Sequence, residues 1–170
     1  MMKMICGVLV LGGLLLACGC TAAREAAKPE AEAPGGGIPL FDAARAGQVE
    51  VARRLLAEGA NVNVRNEKGG SPLHAAACKG QPEMIEFLIA NGATANARAS
   101  NGQTPLHKAA NGGDRKDNRP GPRHLAATQA LLEHGADPHA KDNSGKTPLD
   151  LAGTEEMKAL LERKPDASSN

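Results

Sequence analysis

Short apolar runs, each followed by a glycine, dominate the chain between residues 38 and 164. Within each run the apolar residues are spaced three or four apart, so they share one face of a helix. The runs are Val49, Ala52, Leu55 and Leu56; Met84, Ile85, Leu88 and Ile89; and Ala127, Leu131 and Leu132. Gly59, Gly92 and Gly135 follow them, and glycine easily takes the left-handed conformation that ends many helices. The pattern predicts three short amphipathic helices.

A second short helix is predicted before each of these, and it opens with a Pro-Leu pair. The clearest copies are Ser71-Pro72-Leu73-His74 and Thr104-Pro105-Leu106-His107, which start 33 residues apart. A degenerate copy starts at Ile38, and a fourth starts at Thr147, ten residues later than the period requires. Proline sets its φ angle for the first position of a helix. These helices are predicted to end at Gly47, Gly80 and Gly113.

The motif T-P-L-H-x-A at a period of 33 residues resembles the ankyrin repeat. The resemblance implies an all-α fold, an ankyrin-repeat solenoid of about four repeats over residues 38–164, with repeats starting near 38, 71, 104 and 147. Each repeat is expected to be a helix-turn-helix unit with a β-hairpin loop. A single pair of helices cannot bury both of its faces, so the copies must stack. Phe41 and Asp150 replace the motif histidine in the outer copies, and helix one of the last repeat is expected to be shortened.

The ten extra residues of the third repeat are predicted to form an insertion at about 114–124. Gly113 keeps its distance from Thr104, whereas Gly135 is displaced. The segment has four bases, two acids and no apolar side chain, and Pro120-Gly121-Pro122 is expected to prevent a helix. Two interpretations are open: a tolerated surface loop, which costs little closure entropy, or a finger that binds a partner or an anion.

The N-terminus is predicted to be an export signal. Lys3 precedes an uncharged run, Ile5 to Ala17, that has the length of a signal-peptide core and is too short to cross a bilayer. Residues 15–18, Leu-Leu-Ala-Cys, resemble a bacterial lipobox, which implies cleavage after residue 17 and attachment of lipid, palmitate included, to Cys18. Cys20 offers a second register, and an ordinary secretory signal is the alternative. By analogy with Gram-negative lipoproteins, Gly19 favours the periplasmic face of the outer membrane.

Residues 18–37 are predicted to be a disordered tether of Ala, Glu, Pro and Gly, and 165–170 a disordered tail. The chain has 20 Lys and Arg against 19 Asp and Glu, so no bulk charge favours nucleic acid or an anionic membrane surface. Membrane contact is therefore expected through the N-terminal lipid only. A monomer that binds another protein is the expected state.

Catalytic and metal chemistry are not predicted. Stacking would hold His74 and His107 about 10 Å apart, too far to share one zinc ion. The resemblance instead implies a structural role, with each ring bonded to Ser71 or Thr104 and to nearby backbone. No nucleophile, phosphate loop or buried acid pair is recognisable, so we expect no enzyme and no cofactor. Cys78 is expected on the concave surface, either as a thiol or in a disulfide with Cys20.

The resemblance implies that a partner binds at the loop tips and at the exposed side of helix one. The candidates on helix one are Arg45, Cys78, Lys79, Lys108 and Asn111, and those at the tips are Glu67, Lys68, Gly70, Ser100, Asn101, Gln103, Asn143, Ser144 and Lys146. Arg65, Arg98 and Lys141 form either a basic ladder or a row of solvated charges. A membrane-tethered adaptor is the leading interpretation. An inhibitor or immunity protein, acting on a toxin or hydrolase of the envelope, and a structural scaffold are the alternatives.

Overall fold

The structure, a computed structural model, describes residues 39–113 and 120–163. These residues form seven α-helices and one 3-10 helix, and they contain no β-strand. The α-helices are α1 (Pro39–Ala46), α2 (Val49–Ala57), α3 (Pro72–Lys79), α4 (Pro82–Ala90), α5 (Pro105–Ala110), α6 (Pro122–Glu133) and α7 (Glu155–Glu162). The 3-10 helix covers Leu149–Leu151. The all-α prediction is confirmed. The predicted signal peptide, tether and tail lie outside the described residues.

The helices stack in two rows. In the inner row α1, α3 and α5 lie side by side, and the 3-10 helix follows α5. In the outer row α2, α4, α6 and α7 contact one another in that order. Each inner helix also packs against the outer helix that follows it in the chain, from α1 on α2 to the 3-10 helix on α7. The result is a stack of four helix pairs in which each pair contacts its neighbours.

Helix α3 shows why the motif folds as it does. Ser71 precedes the helix in an extended conformation, and Pro72 takes the first helical position. The backbone N–H of Ser71, which the helix itself cannot satisfy, donates to the ring of His74 one turn later. Gly80, with a φ angle of 62°, ends the helix in the left-handed region. Start and end are therefore both encoded within ten residues of sequence.

The core combines small residues on the inner helices with larger ones on the outer helices. Ala76 and Ala109 are fully buried, and their size lets neighbouring inner helices approach closely. Met84, Leu88 and Leu131 are fully buried from the outer row. Each buried Leu or Met contributes about 1.5–3 kcal/mol. A chain with two Phe and no Trp or Tyr can therefore still form a continuous core.

The first outer helix buries less of its predicted apolar stripe. Ala52 of α2 is fully buried, whereas Val49, Leu55 and Leu56 are half-buried. Among the described elements, α2 contacts an outer helix, α4, on one side only, because it stands at the end of the row. The partial exposure follows from this terminal position rather than from a different helix pattern.

The predicted hairpin loops are tight turns without a β ladder. Each closes with one backbone bond at its base, as when the N–H of Asn66 donates to the carbonyl oxygen of Gly70 at 2.9 Å. Successive tips are joined by single backbone bonds, such as Ser100 N–H to the Lys68 carbonyl oxygen at 3.1 Å. One bond per tip is too few to form a strand, so the repeats are held at this edge mainly by side chains.

The prediction of an irregular segment up to residue 124 is wrong at its C-terminal end. Pro122 takes the first position of α6, where a proline is well tolerated, so the sequence Pro-Gly-Pro starts a helix instead of preventing one. Helix α6 has 12 residues, compared with 9 in α4. His124, counted in the insertion, is 5% exposed and belongs to the packed stack. Residues 114–119 lie outside the described residues.

The first helix of the third repeat ends earlier than predicted. Helix α5 stops at Ala110, and Gly112 and Gly113 follow with φ angles of 69° and 70°. In the second repeat the position of Gly112 is held by Lys79, which is helical. A second left-handed glycine therefore shortens α5. The expected shortening of the last inner helix is confirmed, because only the 3-10 helix forms there.

Candidate functional site

Two buried histidines tie neighbouring repeats together. The Nδ1 atom of His74 accepts the Ser71 N–H at 3.1 Å and lies 2.9 Å from the Ser71 hydroxyl oxygen. Its Nε2 atom donates to the carbonyl oxygen of Gln103, in the next repeat, at 3.1 Å. The same set of contacts, at the same distances, is made by His107, Thr104 and Lys146. The predicted structural role of both histidines is confirmed.

Burial keeps both rings neutral. Desolvation is the largest cause that lowers the pKa of His74, to about 4, and the charges of Lys108 and Arg65 lower it further. The hydrogen bond to the Gln103 carbonyl opposes this shift. Burial also lowers the pKa of His107. Because Nδ1 accepts and Nε2 donates in each ring, neither nitrogen is available to a metal ion or to a reacting proton.

The arginines of the loops bond to the neighbouring turns and do not form an open basic ladder. An Nη atom of Arg65 donates to the carbonyl oxygens of Gly69 at 2.8 Å and Arg98 at 2.7 Å. Arg98 in turn donates to the carbonyl oxygen of Lys141 at 2.8 Å. The position that recurs every repeat therefore bridges one turn to the next. Its periodicity was visible in the sequence, but its bonding was not.

Two asparagines make a second set of bridges, which the sequence reasoning missed. Asn63 donates to the Gly92 carbonyl oxygen at 2.9 Å, and its own oxygen accepts the Thr94 N–H at 3.0 Å. Asn96 repeats this with Gly135 and Asp137 at 2.9 and 2.8 Å. The recurrence of Asn at the motif's 33-residue spacing was the available signal. These amides satisfy the carbonyl oxygens of the glycines that follow α4 and α6.

A groove with a volume of about 590 Å³ opens between the inner helices and the turns that precede α3 and α5. Phe41, Ala75 and Ala99 supply its apolar surface. Charged and polar groups surround this surface. Eight of the predicted binding residues line the groove: Arg45, Glu67, Lys68, Gly70, Cys78, Ser100, Asn101 and Lys108. The fold thus brings together side chains from three repeats at one concave surface.

A family model described as ankyrin repeats (3 copies) matches residues 40–140. The chain belongs to the ankyrin-repeat family. It is also similar to YahD of Escherichia coli (strain K12), which is named as an ankyrin repeat protein, with 53% identity over 47 residues. That segment is 26% of this chain and 23% of YahD, so the similarity spans about a quarter of either protein. The helix pair after residue 140 lies outside the family match, and its assignment as a fourth repeat stays a prediction.

Ankyrin repeats indicate a protein–protein interaction module. Ankyrin-repeat proteins are generally not catalytic. Within residues 39–113 and 120–163, no group of three or more His, Cys, Asp or Glu side chains is placed to hold a metal ion. No helix in the same residues has the length and apolar character needed to cross a bilayer. Cys18, the predicted lipidation site, lies outside these residues.

Six predicted binding residues lie outside the ankyrin groove, and Gln103, Lys146 and Asn143 among them bond to a neighbouring repeat. Gln103 and Lys146 accept the histidine bonds through their carbonyl oxygens. Asn143 bridges two turns, because its side chain donates to the Ser100 carbonyl oxygen at 3.0 Å. The others are Lys79 at the end of α3, Asn111 after α5 and Ser144 at an exposed turn. The groove therefore covers the first three repeats and not the last.

His124 anchors the third ankyrin repeat to the second and was missed from the sequence. Its Nε2 atom donates to the Cys78 carbonyl oxygen, at the end of α3, at 3.2 Å. Gly113 packs on the same carbonyl so closely that a Cβ atom at this position would overlap the oxygen. One repeat earlier, the side chain of Gln81 packs on Gly47. No local pattern identifies His124, because its partners lie more than forty residues away.

Proposed function

We propose that the chain is an exported, membrane-tethered ankyrin-repeat adaptor that binds another protein in its concave groove and has no catalytic activity of its own. The observation that carries this proposal is the groove of about 590 Å³, which collects eight of the predicted contact residues from three repeats. The partner is expected to bury a standard-sized interface or a smaller one, because the stack is short.

The hydrogen bonds that link the loops of neighbouring repeats support a binding role. At the loop edge, histidine, arginine or asparagine bonds to backbone join the second repeat to the third and the third repeat to the last helix pair. Such bonds hold the groove walls in place before a partner arrives. A preorganised surface loses less conformational entropy on binding, and the remaining interaction energy is available for affinity.

The tether is proposed from the N-terminal sequence. Lipid on Cys18 would hold the ankyrin stack at the periplasmic face of the outer membrane, as a monomer, with the lipid as its only membrane contact. The predicted tether of about 20 residues would, as a flexible chain, reach roughly 25 Å, which would hold the stack close to the membrane but not on it. A Cys18→Ala variant is expected to leave the membrane fraction and to lose labelling by a palmitate analogue. Labelling that disappears only with Cys20→Ala would move the site two residues along.

Site-specific photo-cross-linking in intact cells tests the groove. A photoreactive residue in place of Ser100 would lie in the groove. One in place of Arg54, an exposed residue of α2, would lie on the outer row. We expect one specific protein adduct from position 100 and none from position 54. Equal adducts from both positions, or adducts from position 54 alone, would contradict binding in the groove.

A further inference from the structure

The groove carries an excess of positive charge. Three cations line it, Arg45, Lys68 and Lys108, against one acid, Glu67. Neither Lys68 nor Lys108 has an ion-pair partner among the described residues. Lys68 is exposed and comes from the turn before α3, whereas Lys108 is half-buried on α5. Two cations from different elements therefore line one concave space, with Glu67 as the one acid among its described lining residues.

The positive field reaches the floor of the groove. Lys108 and Arg65 both act through their charges on His74, which lines the groove, and both favour its neutral form. The ring nitrogens of His74 are bonded to Ser71 and Gln103, so the ring offers the groove no free polar atom. Polar recognition in this part of the groove falls to the lysines and to the turn residues Ser100 and Asn101.

The apolar surface of the groove is small and sits beside these charges. Phe41 is half-buried in the first repeat, where it replaces the motif histidine, and Ala75 is buried on α3. Ala99 adds a third apolar contact from the next turn. The space suits one medium-sized aliphatic or aromatic side chain of a partner, with hydrogen-bonding groups around it.

We propose that the groove binds an acidic segment of the partner protein, with its carboxylates at Lys68 and Lys108 and one apolar side chain against Phe41. This inference rests on the proposed function and names the chemistry of the partner. Charge complementarity is the argument: a hydrogen bond between an ionised carboxylate and an ammonium group is stronger than one between neutral groups, and a concave apolar wall reduces its screening by water. Glu67 at the rim would repel a misplaced carboxylate and so help to set the register.

A broad polyanion fits the surface less well than a peptide does. The whole chain has a formal charge of +1, so its net charge gives no bulk attraction to nucleic acid or to an anionic bilayer. The cations stand in a concavity, which a side chain can enter and a flat headgroup surface cannot. Binding to anionic membranes is therefore the competing outcome that the experiment must separate.

Fluorescence anisotropy with designed peptides tests the proposal on the full chain. The probe is a labelled peptide with one leucine between two pairs of glutamates. Matched peptides carry glutamine, or lysine, in place of every glutamate. We expect the acidic peptide to bind on the order of tenfold more tightly than the glutamine peptide, the effect of two partly exposed ion pairs. The difference should shrink as salt is raised to about 0.5 M, where the Debye length falls to a few ångströms.

Charge-neutralising variants assign the effect to the groove. Lys68→Gln with Lys108→Gln is expected to remove the preference for the acidic peptide. Arg54→Gln, an exposed change on the outer row that removes one positive charge, should leave it intact. Unchanged melting curves by circular dichroism would show that the double variant still folds. If that variant keeps the preference, or if all peptides bind equally or not at all, the proposal is overturned.

Two further results would separate this inference from membrane binding and from the adaptor function. Binding to vesicles of anionic phospholipid that depends on both lysines, without binding of the peptide, would replace the acidic partner by a membrane. A specific cross-link from position 100, combined with no preference among the peptides, would leave the adaptor function standing and reject only the acidic chemistry.

Discussion

The second and third repeats start from the same motif and reach different lengths. Their histidines make identical bonds, with Nδ1 to backbone N–H at 3.1 Å and Nε2 to the next carbonyl oxygen at 3.1 Å. Beyond the histidine they diverge. The inner helix has eight residues in α3 and six in α5, and the outer helix has nine in α4 and twelve in α6.

The contact between neighbouring repeats is preserved although the lengths of the helices differ. Gln81 packs on Gly47 and His124 packs on Gly80, so each repeat fills one position against the previous inner helix. In the third repeat the chain reaches that position from an insertion and not from a direct turn. The ten extra residues therefore precede this contact in the chain, where a longer connection costs little closure entropy.

The largest expected effect comes from matched core truncations. Leu88 and Leu131 hold equivalent positions in α4 and α6, and both are fully buried. Leu88→Ala and Leu131→Ala should each lower the free energy of unfolding by about 2–5 kcal/mol, because each leaves a cavity. Urea unfolding followed by far-UV circular dichroism is the measurement, since the chain has no Trp or Tyr.

Glu86→Ala, an exposed change on α4, is the control and should stay within about 0.5 kcal/mol of the parent. A loss below 1 kcal/mol for Leu131→Ala alone would mean that α6 is not part of the cooperative stack.

Acid is expected to weaken both histidine bridges. Folding lowers the pKa of His74 from 6.5 to about 4, so the unfolded chain takes up protons first as the pH falls. The stability from its neutral ring is complete above pH 6.5 and is lost as the pH falls toward 4, on the order of 3 kcal/mol by then. His107 acts in the same direction. Denaturation midpoints measured from pH 8 to pH 4 give this slope.

The variants His74→Gln and His107→Gln assign the slope to its two sources. Each is expected to be less stable than the parent at pH 7.5 and to show a shallower loss of stability between pH 6.5 and 4. A parent whose stability stays level across that window would rule out the lowered pKa values.

A smaller difference is expected between two glycines. Gly92 and Gly113 both have positive φ angles, 89° and 70°, so alanine strains the backbone at either position. A Cβ at Gly92 meets no atom within 4 Å, whereas one at Gly113 overlaps the Cys78 carbonyl oxygen. Gly92→Ala should cost about 1–2 kcal/mol, and Gly113→Ala about 1–3 kcal/mol more. Equal melting temperatures for the two variants would argue against the close contact with α3.

The smallest effect is expected at His124. His124→Ala should cost about 1 kcal/mol, because the bond to the Cys78 carbonyl oxygen is lost. His124→Gln places the residue of the second repeat at the equivalent position and should recover most of that loss. Chemical denaturation resolves the two variants. If glutamine is no better than alanine, the two repeats do not share this contact.

The sequence alone predicts those features that depend on residues close together in the chain. Pro72 and Gly80 define the ends of α3, and His74 reaches the backbone of Ser71 three residues earlier. All of these interactions lie within one repeat, and a second intact copy 33 residues later reveals them as a pattern. The outer-helix stripe was also readable, because burial repeats with the period of the helix. The fold class followed from these signals, and the resemblance to ankyrin repeats supplied eight of the residues that line the groove.

Tertiary structure alone decided the features that join distant residues. His124 and Gly113 meet the Cys78 carbonyl across 46 and 35 residues of sequence, and nothing in their own neighbourhoods marks them. Pro120-Gly121-Pro122 predicted an irregular insertion, yet its last three residues, 122–124, belong to α6, which contacts α3. Arg65 and Arg98 read as open charges, although each donates to a carbonyl oxygen of the next turn. Stacking of the repeats brings those groups within hydrogen-bonding distance. The sequence pattern of a single repeat cannot reveal a contact with a neighbouring repeat.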